Sequence, residues 1–256
     1  MTPESDPYRP VSEDAVSGAM PFLDHLEELR WRLLKSLLAI VITAGASFYF
    51  RNELFTILIR PLGDIQLNFT EVTGSFYAYL KVALITGIIV ALPVVFYQMW
   101  MFLSPGLYKR EKRIILPLAF VSTMLFLGGA AFCYFLTLPL ALDFLIGFSG
   151  DLLNPVITVG SYISFAGLLL VAFGVGFQLP VVSFFLGKIG LVSSASMGKG
   201  RRYALVIILI AGAIITPPDV FTQLLLAGPV YLLYEVSILI VKIVEPKPDS
   251  VGSDDQ

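Results

Sequence analysis

The chain has 256 residues, 57% of them hydrophobic and only 14% charged, with a mean hydropathy of +0.84. That is too apolar for a water-soluble domain of this size and reads as an all-α integral membrane protein. The net charge of −2 arises because an acidic N-terminus and the tail GSDDQ offset basic loops, so the placement of charge says more than its sum. One cysteine, Cys133, excludes an internal disulfide, and with a single histidine, His25, it cannot build a structural zinc site. Neither a GxxxxGKS/T loop nor a GxSxG elbow occurs, so no phosphate-cradling loop, serine hydrolase, cofactor or metal is expected.

Residues 1–20 are polar, contain Pro3, Pro7 and Pro10, and read as a flexible tail rather than a cleavable signal. From Pro21 the chain turns helical, with Phe22, Leu26, Leu29 and Leu33 forming an apolar stripe. On the polar side stand Asp24, Glu28 and Arg32 at i, i+4 and i+8, so an ordinary Glu28–Arg32 pair is one reading of this helix. His25 reads as a surface or interfacial residue. The helix becomes lipid-soluble over residues 33–50, the first span.

Residues 51–74 mix charges with LFTILI, too short to span, and Pro61 follows it; an interfacial helix and a loop are expected. The second span covers residues 76–100 and contains Pro93. After it comes the basic loop SPGLYKREKR, residues 104–113, where Glu111 stands among Lys109, Arg110, Lys112 and Arg113. A third span is expected over residues 114–138, ending at Pro139, followed by a loop over 140–160 that holds no Lys or Arg. The fourth covers 162–186 with one polar group at depth, Gln178, which should face protein or water rather than lipid.

Residues 187–202 read as a loop carrying Lys188, Lys199, Arg201 and Arg202. The next apolar run, residues 204–215, is about 18 Å long as a helix, short of a hydrocarbon core of roughly 30 Å. A fifth span here would need a thinned or screened bilayer. Pro217, Pro218 and Asp219 make a turn, and the last span runs over 220–244 with a polar stripe of Gln223, Tyr231 and Glu235. Asp219 is placed to cap that helix; Glu235 is either an intramembrane functional acid or a solvated interfacial one. Residues 21–244 thus form one transmembrane domain of six helices, and 245–256 a second flexible tail. Fourteen of the seventeen Lys and Arg fall on the side of the two termini, only Arg51, Arg60 and Lys81 on the other, so both termini are expected in the cytoplasm. QLPVVSF at 178–184 echoes ALPVVFY at 91–97, and nothing rests on it.

Glu28 and Glu111 then lie on one side of the membrane, and carboxylates suit planar recognition of guanidinium. The residues alone leave a receptor, a small-solute secondary transporter and a scaffold open. Four motifs narrow this: FLDHLEELRWRLL (22–34), MFLSPGLYKREKR (101–113), FGVGFQLPV (173–181) and TPPDVFTQLLLAGPVYLLYE (216–235). Through them, over about residues 20–243, the chain resembles the TatC family, the multispanning receptor subunit of the twin-arginine protein translocase.

The resemblance implies a concave, glove-like bundle of six helices with short fifth and sixth spans in the cytoplasmic (inner) membrane. It implies a non-enzymatic role: binding twin-arginine signal peptides of folded cargo, then working with TatA-type and TatB-type single-span partners, as an oligomer, in transport driven by the proton-motive force. The arginine-reading surface falls on Glu28, Arg30, Phe102 and Glu111. Gln178, Asp219, Gln223 and Glu235 become intramembrane or partner-contact candidates, and Pro61 the structural proline of the first outer loop. Some relatives carry glutamate where this chain has Gln178, so a titrating group at that place is not available here.

Overall fold

The computed structural model describes residues 20–63, 65, 67–69, 72–103, 114–147, 156–216 and 219–245, with side chains from residue 24 onward. Expectations for the N-terminal tail, for residues 104–113 and for 246–256 lie outside the described residues. The rest is helical: α1 (Met20–Tyr49), α2 (Arg51–Ile59) followed by a 3-10 turn (Arg60–Leu62), and α3 (Gly74–Leu103). Then come α4 (Ile115–Phe132), α5 (Leu138–Gly147), α6 (Val159–Gly176), α7 (Leu179–Lys188), α8 (Ser194–Ile215) and α9 (Val220–Val244). Among the described residues, five stretches are long and apolar enough to cross a membrane: Asp24–Tyr49, Gly74–Leu103, Ile115–Gly147, Val159–Lys188 and Val220–Val244.

Several expected boundaries are corrected. The third span does not end at Pro139, and residues 140–147 are helix, not loop. Between α4 and α5 the backbone widens into a π turn over Cys133–Thr137, where the Leu138 N–H donates to the Cys133 carbonyl, five residues back. Proline lacks an N–H and crowds the carbonyl four residues before it; the wider turn opens the ladder just there, and the helix continues. The fourth span is two helices, because Pro180 in the first turn of α7 breaks the ladder at Phe177 and Gln178. Residues 194–202 are not loop either: Ser193 caps α8 by accepting the Ser196 N–H at 3.1 Å, so Lys199, Arg201 and Arg202 ride on helix. Nor is the sixth span short, since α9 has 25 residues, about 37 Å of helix.

Close approach of helices is licensed by small residues, the ordinary device where lipid competes with side chains for apolar contact. A Cβ on Gly87 of α3 would lie 2.5 Å from the Ala44 backbone of α1, and the Thr43 hydroxyl donates to the Gly87 carbonyl at 2.7 Å. A Cβ on Gly129 of α4 would lie 2.7 Å from the Phe173 carbonyl oxygen of α6. The core gathers Phe126, Cys133, Leu138, Ile163, Leu169 and Phe173 from α4, the π turn, α5 and α6.

The end of the bundle where α3 and α6 begin is tied by polar contacts. Pro61 has no N–H for the Ile57 carbonyl, which instead accepts the Arg60 N–H and the Tyr134 hydroxyl, the latter at 2.6 Å. The Leu58 carbonyl accepts from Tyr162 at 2.8 Å. Asn68 bridges to the strand-like residues before α6, receiving the Val159 N–H at 3.1 Å and donating to Ile157 O at 2.9 Å, and Lys81 donates to Ser164 Oγ at 2.8 Å.

Candidate functional site

At the opposite, basic end, α1 projects beyond its apolar stretch and lies beside the last turns of α3. Glu28 and Arg32 are one helical turn apart, and the pair forms: Arg32 Nε and Nη2 donate to Glu28 Oε1 at 2.9 and 2.5 Å. Arg32 Nη1 donates onward to Gln98 Oε1 of α3 at 3.2 Å. Among the described residues, His25 Nδ1 faces the other carboxylate oxygen, Oε2, at 3.7 Å, beyond hydrogen-bonding reach. His25 in turn stacks on Phe102, ring centroids 4.3 Å apart and 11° from parallel. Among the described residues, Arg32 thus loads one oxygen of Glu28 while the other faces a histidine stacked on Phe102.

Of the four residues expected on the arginine-reading surface, Glu28 and Phe102 are therefore brought together, with His25 between them. Arg30 is not part of this cluster. Two residues from Glu28 on a helix, it stands on another face, in an apolar groove of about 410 Å³ lined by Leu26, Leu29, Leu33, Leu34 and Leu37. Glu111 lies outside the described residues. His25 and Gln98 are the members that sequence reasoning missed: the i, i+3 spacing of His25 to Glu28 was a usable signal, whereas Gln98 is 66 positions from Arg32 and had none.

The polar candidates are bound to backbone or to neighbouring side chains. The Gln178 amide donates to the Ser122 carbonyl of α4 at 3.0 Å and to Gly174 O at 3.4 Å, so it faces protein, as expected of a polar group at that depth. Ser122 also accepts the Trp100 indole N–H on its hydroxyl at 2.9 Å, which makes it the hub of a buried α3–α4–α6 contact. Asp219 caps α9, accepting the Thr222 N–H at 2.7 Å and the Thr222 hydroxyl. The stripe on α9 turns toward α8: Gln223 donates to Leu209 O at 2.8 Å, and Glu235 receives Arg201 as a two-oxygen fork, both bonds 2.8 Å.

The hairpin of α8 and α9 closes with Glu245, a residue the sequence reading assigned to the tail. Its oxygens accept the Ser194 N–H and hydroxyl, each at 2.7 Å, capping the start of α8. Those bonds hold the Glu245 carboxyl below the ordinary carboxylate range. Among the described residues no group of three or more His, Cys, Asp or Glu converges as a metal site would require.

The chain is similar to known proteins over most of its length. Residues 24–229 match the family model of Sec-independent protein translocase protein (TatC). The proteins of that name from Desulforapulum autotrophicum and Aquifex aeolicus are 43% and 42% identical, over 90% and 91% of this chain and 87% and 99% of their own lengths. A crystal structure of the twin arginine translocase receptor TatC is 42% identical and superposes with a TM-score of 0.78, covering 86% of this chain and 99% of that one. With sequence, fold and length in agreement, the chain belongs to the TatC family of Sec-independent protein translocase proteins.

Proposed function

We propose that this chain is the signal-peptide receptor and organising core of a twin-arginine translocase. It sits in the cytoplasmic membrane with both termini in the cytoplasm, binds the arginine pair of folded cargo, and works with TatA-type and TatB-type single-span partners using the proton-motive force. Glu28 and Glu111 are the two carboxylates that read the arginines, and Phe102 supports them; Arg30, on another face of the Glu28 helix, contributes from outside that cluster.

The observation that carries the reading is the Glu28 carboxylate itself, which holds the Arg32 guanidinium on Oε1 and faces the His25–Phe102 stack with Oε2. Carboxylates suit guanidinium because parallel N–H···O bonds specify orientation as well as charge. α8 completes a glove-like bundle as a further span, its apolar residues 204–215 reaching only about 18 Å and drawing the bilayer thin beside them. A small-solute transporter is disfavoured because Gln178 and Gln223, polar groups at depth, are committed to the carbonyls of Ser122 and Leu209.

Glu28→Ala and Glu111→Ala are expected to weaken capture of a twin-arginine peptide while leaving the bundle folded, as read by site-specific crosslinking from the peptide. Undiminished capture by the double variant refutes the arginine-reading assignment. Restoration of export of a folded, Arg-Arg-tagged reporter in cells lacking their own receptor subunit tests the role as a whole.

A further inference from the structure

The carboxylate of Glu28 already carries a guanidinium. Both Nε and Nη2 of Arg32 sit on the same oxygen, Oε1, and Nη1 is held separately by Gln98. The arginine is the more deeply set partner, its side chain 19% exposed against 31% for Glu28, so a ligand reaches the carboxylate before it reaches Arg32. Gln98 belongs to α3, not to α1, and it keeps an acceptor for Arg32 that does not depend on Glu28. Arg32 can therefore let go of the carboxylate without being left unpaired.

Resting on the arginine-reading role proposed for Glu28, we infer that Arg32 is a resident substitute for the cargo arginine, and that its displacement makes the site select arginine over lysine. An incoming guanidinium offers the same planar fork that it removes, so the bonds lost by Arg32 are replaced in kind. An ammonium offers a compact, strongly hydrated point charge without the fork, and cannot replace two parallel donors at once. Both ligands meet the barrier, but lysine meets it with less to give in return. The strength of such a pair corresponds to about a twofold to tenfold change in affinity, enough to grade ligands without closing the site.

The test uses the full chain in detergent micelles and two fluorescein-labelled signal peptides, identical except for Arg-Arg or Lys-Lys, with affinity read by anisotropy. The wild-type protein prefers Arg-Arg. In Arg32→Gln the Lys-Lys peptide gains more than the Arg-Arg peptide, and the ratio of affinities falls by roughly twofold or more. Taking a ratio cancels the general gain that any cationic peptide makes from losing a nearby positive charge. Arg32→Lys retains the charge without the fork, so its ratio also falls, to an intermediate value; it carries the test if Arg32→Gln fails to fold.

A ratio that stays at the wild-type value in both variants, or rises, overturns the inference, as does weaker Arg-Arg binding in Arg32→Gln, which marks Arg32 as a mere brace for Glu28. If Glu28→Gln weakens Arg-Arg binding while the ratio is unmoved by Arg32 variants, only the substitute role falls. If Glu28→Gln changes neither peptide, the arginine-reading role falls with it.

Discussion

Replacing Gln178 by leucine removes an amide that does two jobs. It joins α4 to the break between α6 and α7 through Ser122 O at 3.0 Å, and it covers the Gly174 carbonyl at 3.4 Å. That second carbonyl is released by the break itself, since the Gln178 N–H donates to Val175 O at 2.9 Å instead of to Gly174 O. Hydrogen bonds between membrane helices average about 0.6 kcal/mol and reach about 1.7. Leaving a buried carbonyl uncovered adds about 1 kcal/mol, so Gln178→Leu should cost about 1–2 kcal/mol. Reversible unfolding in mixed micelles, followed by the emission of Trp100, measures it. Ser122→Ala supplies the companion experiment, because it deletes the hydroxyl bonded to Trp100 Nε1 but leaves the carbonyl bonded to Gln178. Because Gln178 and Ser122 are in direct contact within one network, the two substitutions should couple by about 0.5 kcal/mol or more. A Gln178→Leu protein as stable as wild type, or strict additivity, refutes the hub described at Ser122.

Gly129→Leu should destabilise the bundle by about 1–3 kcal/mol in the same assay, since even its first carbon meets the Phe173 carbonyl oxygen at 2.7 Å, and backbone cannot swing aside. Tyr162→Phe strips the Leu58 carbonyl of its hydroxyl donor and should cost about 1 kcal/mol, with faster hydrogen exchange in α2 as the local readout. For Glu245 the sign follows from a carboxyl held below its ordinary value of 4.5: the stabilisation is complete above that value and disappears as pH falls through the folded value. Amide exchange over residues 194–197 should thus be faster in Glu245→Ala than in wild type at neutral pH, and the two should converge in acid; a difference independent of pH counts against the cap.

Much of this architecture is legible in composition. Long apolar runs must be helices in lipid because every backbone group needs a partner, and that alone places most of α1, α3, α4, α6 and α9. What the pattern misreads is two of the prolines. Pro93 and Pro229 sit inside helices that continue past them, as expected, but Pro139 is absorbed by a π turn instead of ending its span, and Pro180 breaks its helix. Those outcomes depend on which neighbours accept the freed carbonyls, and linear sequence does not carry that information. At the candidate site the Glu28–Arg32 contact follows from four-residue spacing, whereas the Gln98 contact and the His25–Phe102 stack depend on how α3 lies against α1. Glu245 was misplaced because a charged residue after the last apolar one looks like tail until α8 is known to begin beside it.

The π turn at Cys133–Thr137 also sets a phase. One extra residue in a helix rotates everything beyond it by about 100° relative to an uninterrupted one. The place on α5 that meets α9 is taken by Phe144, whose ring stacks on Phe221 at 4.1 Å and 20°. Wound as an uninterrupted α-helix, the same residues would bring Asp143 to that place, and Asp143 is now turned outward and exposed. A local widening that lets the chain pass Pro139 therefore also exchanges an acid for an aromatic ring at the α5–α9 seam.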